Sequence, residues 1–135
     1  MSIKAINLLS EETLMTKDRS RNQKSIMNKS VKNKWLKALR SGEYTQGHFR
    51  LVTNDDKFCC LGVLCDLAVR AGITEWEKSK TGWCVDKNVS YLPNSVMNWS
   101  GLERDPVSDG SALSDLNDSY FLSFANIADI IEDQL

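Results

Sequence analysis

The segment FCCLGVLCDLA, residues 58–68, contains three of the chain's four cysteines and few polar side chains. Over residues 60–71 the apolar positions fall on nearly every side of a helical wheel, and a helix of this kind is usually central and buried. Gly72 follows it and suits the end of a helix. We therefore predict a buried helix at residues 60–71, with the other elements arranged around it.

Three further helices are predicted from apolar periodicity and capping residues. The first begins after an N-cap at Ser30 and ends near Arg40, before Ser41 and Gly42. Pro93 suits the first turn of a short helix that runs through Trp99. Ser123 is the expected N-cap of a last helix that reaches the C-terminus, so helices bracket both ends of the predicted domain.

Short strands are predicted between these helices, at residues 46–52, 73–77 and 82–85, and residues 57–59 are expected to form a short strand or the lead-in to the buried helix. In the first of them Phe49 and Leu51 are expected to point the same way, and in the last pair the polar turn 78–81 joins a hairpin. Residues 103–111 predict a loop with a turn at Asp109-Gly110, and residues 113–117 a strand or a turn. Because strands and helices do not alternate as in a doubly wound sheet, we predict a single small α+β domain with three to four helices around short antiparallel hairpins.

Length and composition indicate one soluble globular domain. The chain has 135 residues, of which 41% are hydrophobic and 26% charged, and that length supports an ordinary core without staples. No apolar run approaches the roughly 18 residues of a membrane span, and no signal-peptide pattern opens the sequence. We therefore expect a cytoplasmic protein without membrane contact, in which cysteines are free thiols or ligands rather than disulfides.

Charge is distributed unevenly along the chain. Residues 1–40 carry ten Lys or Arg and three acids, a balance of +7, and residues 41–135 carry seven against fifteen, a balance of −8. An acidic body does not suit a domain that coats a phosphate backbone, so nucleic-acid contact is expected only through a basic arm. We predict a mobile basic extension at residues 1–29 and a compact domain at 30–135. Met27 is an alternative start, which would make residues 1–26 the extension.

The four cysteines allow three interpretations. Cys59, Cys60, Cys65 and Cys84, with His48, could form a zinc site by count, but the spacing is poor for the tight pairs of structural zinc sites. Cys59 or Cys60 at a helix N-terminus, with the chain's single histidine as base, could be a nucleophile. Buried thiols that fill space are the interpretation we favour. We predict no metal and no cofactor, since the aspartates also match no known metal-binding loop.

One pair of polar residues is expected to have a role beyond capping a helix or forming a turn. Asn117-Asp118 precedes the last helix, and polar residues beside a core often orient a loop.

A ligand-binding site is predicted from aromatic and hydrogen-bonding residues, namely Tyr44, Gln46, Arg50, Trp76 and Trp83. Aromatic rings stack on bases, an arginine binds phosphate, and a glutamine reads a polar edge. The loop at residues 41–47 is the favoured position for part of this site, because its two glycines allow backbone amides to approach an anion.

Five segments resemble a small protein family of tailed bacteriophage genomes: KWLKALRSGEYTQG at 34–47, FCCLGVLCDLA at 58–68, YLP at 91–93, LND at 116–118 and SFANIADIIE at 123–132. The resemblance covers roughly residues 33–135 and brings a genomic context but no established activity. It implies a virus-encoded accessory protein of the bacterial host cytoplasm, a class that commonly interferes with host machinery or immunity.

The function we predict is binding rather than catalysis. Its concrete form is a counter-defence protein that sequesters a nucleotide-derived host signal, as a homo-oligomer with a site at the subunit junction. The alternative is an inhibitor that binds a host defence protein through the basic arm and the tryptophan hairpin. A third hypothesis is a small enzyme that uses Cys59 or Cys60 with His48.

Overall fold

Five helices and five short strands occur in residues 27–103, 106–108 and 111–135, which are the residues that the computed structural model describes. The helices are α1 Lys29–Ser41, α2 Cys60–Arg70, α3 Asn94–Ser100, α4 Leu113–Asp118 and α5 Phe124–Gln134. The strands are β1 Val52–Thr53, β2 Glu77–Lys78, β3 Gly82–Cys84, β4 Val107–Ser108 and β5 Ser111–Ala112. The predicted α+β class is therefore confirmed, and the predicted extension at residues 1–26 lies outside the described residues.

Helix α2 is the central helix, as its apolar pattern predicts. Helices α1, α3 and α4 all pack against it, and seven of its eleven residues are buried. Gly62 packs directly against the backbone of Leu51. A Cβ at this position would overlap the Leu51 carbonyl oxygen. A glycine is thus needed here for close approach, although glycine disfavours a helix interior.

Helices α1 and α5 form a pair on one side of the molecule. Arg40 of α1 donates to Asp129 at 2.7 Å and to Glu132 at 2.8 Å, both on α5. The N-cap predicted for α1 was wrong: the helix begins two positions earlier than expected, and the Asn28 side chain accepts the Val31 N–H at 3.0 Å. The cap predicted for α5 is confirmed, since Ser123 Oγ accepts the Asn126 N–H at 3.1 Å.

The three-stranded sheet has the order β1-β3-β2 and is antiparallel throughout. Strands β2 and β3 form the predicted hairpin, with shorter strands than expected. Gly82 has φ +152° and lies so close to Val52 that a Cβ would overlap the Val52 carbonyl oxygen, which lets β1 pair with β3. The second sheet is the β4–β5 pair, and the predicted turn at residues 109–110 between its strands lies outside the described residues.

The prediction of a strand over residues 46–52 was wrong. Gln46 makes only an isolated bridge to Phe58, and regular pairing starts at Val52. The reason is Phe49, whose φ of +72° is in the left-handed region and breaks an extended chain. Its ring is therefore exposed while Leu51 is buried, so the two side chains do not point the same way.

The prediction of a strand or turn at residues 113–117 was also wrong, since these residues belong to helix α4. Leu113, Leu116 and Asn117 are buried and have the i, i+3, i+4 spacing of one helix face. With only six residues, α4 is too short for that periodicity to stand out in the sequence. Among the described residues, no helix has the length and apolarity needed to span a bilayer.

Candidate functional site

One face of the β2–β3 hairpin carries a cluster of large side chains. Trp76 directly precedes β2, and Lys78 of that strand pairs with Trp83 on β3. Trp83 also pairs with Val52 of β1. Two tryptophans that are seven residues apart in the sequence are thereby brought to one side of the sheet.

A cavity of about 200 Å³ lies against this face and is lined by Val52, Asp56, Phe58, Asp66, Trp76 and Trp83. We call it the aromatic pocket. The Phe58 ring contacts Trp76 edge to face, with centroids 6.5 Å apart and an interplanar angle of 75°. The Tyr44 ring also contacts Phe58 edge to face, with centroids 4.9 Å apart and an interplanar angle of 77°. Such edge-to-face packing is a preferred geometry of aromatic pairs, so each wall of the pocket supports the next.

Asp66 of helix α2 holds these walls in place. Its carboxylate accepts the Tyr44 hydroxyl at 2.6 Å, the Trp76 indole N–H at 3.0 Å and the Arg70 guanidinium at 3.1 Å. Burial, followed by the hydrogen bond to Asp66, raises the pKa of the Tyr44 phenol above its ordinary value. The phenol therefore remains a donor at neutral pH, and one carboxylate positions two aromatic residues from different parts of the chain.

The aromatic pocket combines aromatic rings, which can stack on a planar ligand, with carboxylates, which can accept hydrogen bonds. Lys78 Nζ lies 5.0 Å from the Trp83 ring centroid and donates to Asn54 Oδ1 at 2.8 Å. A positive charge thus stands at the edge of the pocket, while Asp56 and Asp66 place negative charge in its lining. This arrangement suits a planar group that carries N–H donors, with any anionic part of the same ligand outside the pocket, towards Lys78.

The structure divides the five residues predicted for the binding site among different places. Trp76 and Trp83 line the aromatic pocket, and Tyr44 supports it from behind through Phe58 and Asp66. Gln46 and Arg50 are not part of it.

Gln46 instead belongs to a buried network centred on Asn117. Its side-chain N–H groups donate to Asn117 Oδ1 at 2.9 Å and to the Leu122 carbonyl at 2.8 Å. Asn117 Oδ1 also accepts the Cys60 N–H at 3.2 Å, and Asn117 Nδ2 donates to the Gly47 carbonyl at 2.9 Å. The expectation that the residue pair 117–118 orients a loop is confirmed, since Asn117 fixes the chain around Gly47.

Arg50 lines a second cavity, of about 270 Å³, together with Phe49, Ser90, Tyr91, Ser114, Asp115, Asp118 and Ser119. Its guanidinium donates to the carbonyl of Phe49 at 3.0 Å. The two carboxylates beside it disfavour a phosphate at this position.

Four pocket residues are absent from the site predicted from sequence, namely Val52, Asp56, Phe58 and Asp66. Asp66 carries a signal, because it is the one acid of helix α2, whose other residues before Arg70 are apolar, and a lone carboxylate in a buried helix needs partners. Phe58 carries no such signal, because an aromatic residue beside a core helix is ordinary.

The four cysteines are buried and form no disulfide, as the favoured interpretation predicts. Cys59 is the N-cap of α2, and its sulfur accepts the Gly62 N–H at 3.3 Å. Burial raises the pKa of the Cys65 thiol well above its ordinary value, which disfavours a thiolate there. The His48 ring contacts Phe121 at 4.8 Å and Phe49 at 6.2 Å. In the part of the chain that the structure describes, no group of three or more His, Cys, Asp or Glu is placed to hold a metal ion.

Fold and pocket together describe a small α+β domain with an aromatic cavity of about 200 Å³. Residues 27–135 match a family model described as Domain of unknown function (DUF8296), and the chain belongs to that family. Neither the curated proteins nor the solved structures contain a match to it. The matched region begins at Met27, which is buried, and the next residue donates its backbone N–H to the Ser100 carbonyl at 2.8 Å. The compact domain thus includes residues 27–29, ahead of the boundary predicted from sequence.

Proposed function

We propose that this protein acts by binding rather than by catalysis, and that its ligand places one planar ring in the aromatic pocket. The observation that carries the proposal is the set of three rings, Phe58, Trp76 and Trp83, around a cavity that Asp66 also lines. Stacking of a base on an aromatic side chain contributes about 1–3 kcal/mol, and a carboxylate accepts hydrogen bonds from the amino and imino groups of a base.

The ligand class that we favour is a nucleotide-derived signal. A cavity of about 200 Å³ is smaller than the roughly 300–1,000 Å³ of pockets that enclose a whole drug-sized molecule. It suits a base alone, with the sugar and phosphate outside. Lys78 beside Trp83 supplies a cation at the edge where such a phosphate would lie. Arg50, the residue expected from sequence to hold phosphate, has no part in this version of the site.

The biological role that we propose follows from the resemblance to phage proteins. The protein is a counter-defence factor in the cytoplasm of the bacterial host, and it removes an immune signal by holding it. Binding of the signal is then sufficient for the protein's activity, and no turnover of the ligand is needed.

The test is isothermal titration of the full chain with adenosine and guanosine monophosphates, their nucleosides and cyclic dinucleotides of the same bases. We expect Trp83→Ala to weaken binding at least tenfold, because it removes a stacking surface. Lys78→Ala should weaken binding of the phosphate-bearing ligands and leave the nucleosides unaffected. Arg50→Ala is the matched control and should bind as the wild type does.

Two outcomes oppose the proposal. If no member of this panel binds, the nucleotide class is wrong. If Trp83→Ala binds as tightly as the wild type while Arg50→Ala loses binding, the ligand lies at the second cavity and the pocket is wrongly assigned.

The second candidate is an inhibitor that docks directly on a host defence protein. The small volume of the aromatic pocket favours it, because a cavity that is too small for a whole ligand accepts one side chain of a protein partner. In this version Trp76 and Trp83 are the anchors of the interface, as tryptophans often are. Deleting residues 1–26 separates the two candidates: the inhibitor that uses the basic arm loses activity, whereas nucleotide binding is unchanged.

The third hypothesis, an enzyme that uses Cys59 or Cys60, gains no support from the geometry. Both side chains are at most 4% exposed. A substrate would reach them only after the core around helix α2 had opened.

A further inference from the structure

Two carboxylates line the aromatic pocket, and the first of them, Asp66, is already used by the protein. Its Oδ1 accepts the Trp76 indole N–H at 3.0 Å. Its Oδ2 accepts both the Tyr44 hydroxyl at 2.6 Å and the Arg70 guanidinium at 3.1 Å. The Asp66 side chain is also only 16% exposed. Asp66 therefore holds the walls of the pocket and has little hydrogen-bonding capacity left for a ligand.

Asp56 is the second carboxylate of the lining, and its oxygens are open. The residue is exposed, and its side chain accepts no hydrogen bond and forms no ion pair with any residue in 27–103, 106–108 or 111–135. A carboxylate can accept about four hydrogen bonds through its two oxygens. Asp56 is thus the residue of the lining that can accept N–H groups of a ligand without giving up a contact within the described part of the chain.

The turn that carries Asp56 is closed by its own hydrogen bonds. Thr53 donates its N–H to the Lys57 carbonyl at 2.9 Å, and its carbonyl accepts the Asp56 N–H at 3.0 Å. The Thr53 hydroxyl oxygen accepts the N–H groups of Asp55 at 3.2 Å and Lys57 at 3.1 Å. Asp56 has φ +61°, a left-handed conformation that aspartate and asparagine adopt more often than most residues. The turn therefore fixes the backbone from which the open carboxylate projects.

A carboxylate with two open oxygens recognises two N–H donors that lie side by side. Of the common bases, guanine alone has such a pair on one edge, the N1–H and the 2-amino group. Adenine and cytosine place a ring nitrogen acceptor beside their amino group, and uracil has carbonyls on both sides of its N–H. Against these bases the second carboxylate oxygen would face a lone pair, which it repels.

We propose that Asp56 makes the aromatic pocket selective for guanine, by accepting the N1–H and the 2-amino N–H of the bound base. This inference rests on the proposed binding of a base in the pocket, and it names the base. A good bidentate contact to a base edge discriminates against the wrong base by about ten- to a hundredfold. Asp56 is exposed to water, so the expected preference is at the lower end of that range.

The test is isothermal titration of the full chain with guanosine, inosine and adenosine monophosphates, which carry the same phosphate. The wild type is expected to bind guanosine monophosphate about tenfold more tightly than adenosine monophosphate. Inosine monophosphate has the N1–H of guanine without the 2-amino group, so it should bind less tightly than guanosine monophosphate. A wild type that binds all three equally would overturn the role of Asp56.

Asp56→Asn tests the residue through a gain as well as a loss. The variant exchanges one carboxylate oxygen for an N–H donor, and an asparagine amide pairs with the amino group and ring nitrogen of adenine. Binding of guanosine monophosphate should weaken at least fivefold, while binding of adenosine monophosphate tightens about threefold. A damaged fold cannot produce that gain, and asparagine also suits the left-handed φ.

Asp55→Asn is the matched control. It removes the same charge from the same turn, at a residue that does not line the pocket, and should keep the wild-type preference. An Asp56→Asn variant that keeps this preference, or that loses both nucleotides equally, would overturn the proposal. If Trp83→Ala weakens all three nucleotides in that case, the pocket stands and only its selectivity is wrong. If no nucleotide binds, or if Trp83→Ala changes nothing, the proposed function fails and guanine selectivity fails with it.

Discussion

Asn117 is fully buried and makes hydrogen bonds through both atoms of its amide. The acceptor side joins Gln46 to the first turn of helix α2, and the donor side holds the Gly47 carbonyl and Asp118. A buried network in which each member is satisfied fixes one arrangement of the chain, and it becomes costly when a member is removed.

Replacing Asn117 with leucine is therefore expected to destabilise the fold by about 3 kcal/mol. The change keeps the volume but leaves the Cys60 N–H and the Gly47 carbonyl without this partner, at about 1–3 kcal/mol for each buried group. Urea denaturation followed by circular dichroism measures the loss. Asn98→Leu, on the exposed face of helix α3, is the control and should change stability little. A loss of less than about 1 kcal/mol for Asn117→Leu would mean that water replaces the amide.

Tyr44 predicts a dependence on alkaline pH. Its pKa is raised in the folded state by burial and by the hydrogen bond to Asp66, while an unfolded tyrosine titrates near pH 10. Its contribution to stability is thus complete below about pH 10 and is lost as pH rises through the folded pKa. Native wild type and Tyr44→Phe should show equal tyrosinate absorbance at about pH 10, whereas in denaturant the wild type should show about half a tyrosinate more, because an unfolded tyrosine is about half ionised at that pH. A smaller native signal in Tyr44→Phe would contradict the buried hydrogen bond.

Helix α2 is the element whose packing tolerates least change. A methyl group on Gly62 would overlap the backbone of Leu51, and backbone cannot move aside as a flexible side chain can. We expect Gly62→Ala to cost about 3 kcal/mol of stability, although alanine favours helices by itself. Gly42→Ala is the matched control: its surroundings are open and only the left-handed φ opposes it, at about 1 kcal/mol. Equal losses of stability in the two variants would show that helix α2 can shift away from the backbone of Leu51.

The elements that could be predicted from the sequence are those long enough to show periodicity. Helices α1, α2 and α5 have 11–13 residues each, and their apolar faces repeat several times. Helix α4 has six residues, so its pattern of Leu113, Leu116 and Asn117 does not repeat. The prediction of a strand at 46–52 was wrong for another reason: Phe49 has a left-handed φ, which no local pattern indicates for a bulky residue.

At the scale of the whole molecule, the sequence predicted which types of residue form the candidate site better than it predicted which of them lie together in the fold. Trp76 and Trp83 share a pocket because the hairpin, which is a local feature, brings the two ends of a short segment together. Gln46 and Arg50 lie four residues apart, yet one is tied to Asn117 and the other lines the second cavity. Their separation follows from the bend at Phe49 and from long-range contacts, which spacing along the chain does not encode.

The most direct measurement of binding at the aromatic pocket is a ¹H–¹⁵N spectrum of the four tryptophan indoles during addition of guanosine or adenosine monophosphate. Single Trp→Phe variants assign the resonances. We predict that the indole signals of Trp76 and Trp83 shift with a common saturation curve. The Trp35 signal should stay in place, because its indole N–H is buried and bonded to the Cys60 carbonyl at 2.9 Å. Saturable shifts confined to the backbone amides around Arg50, with unmoved Trp76 and Trp83 indoles, would contradict the site.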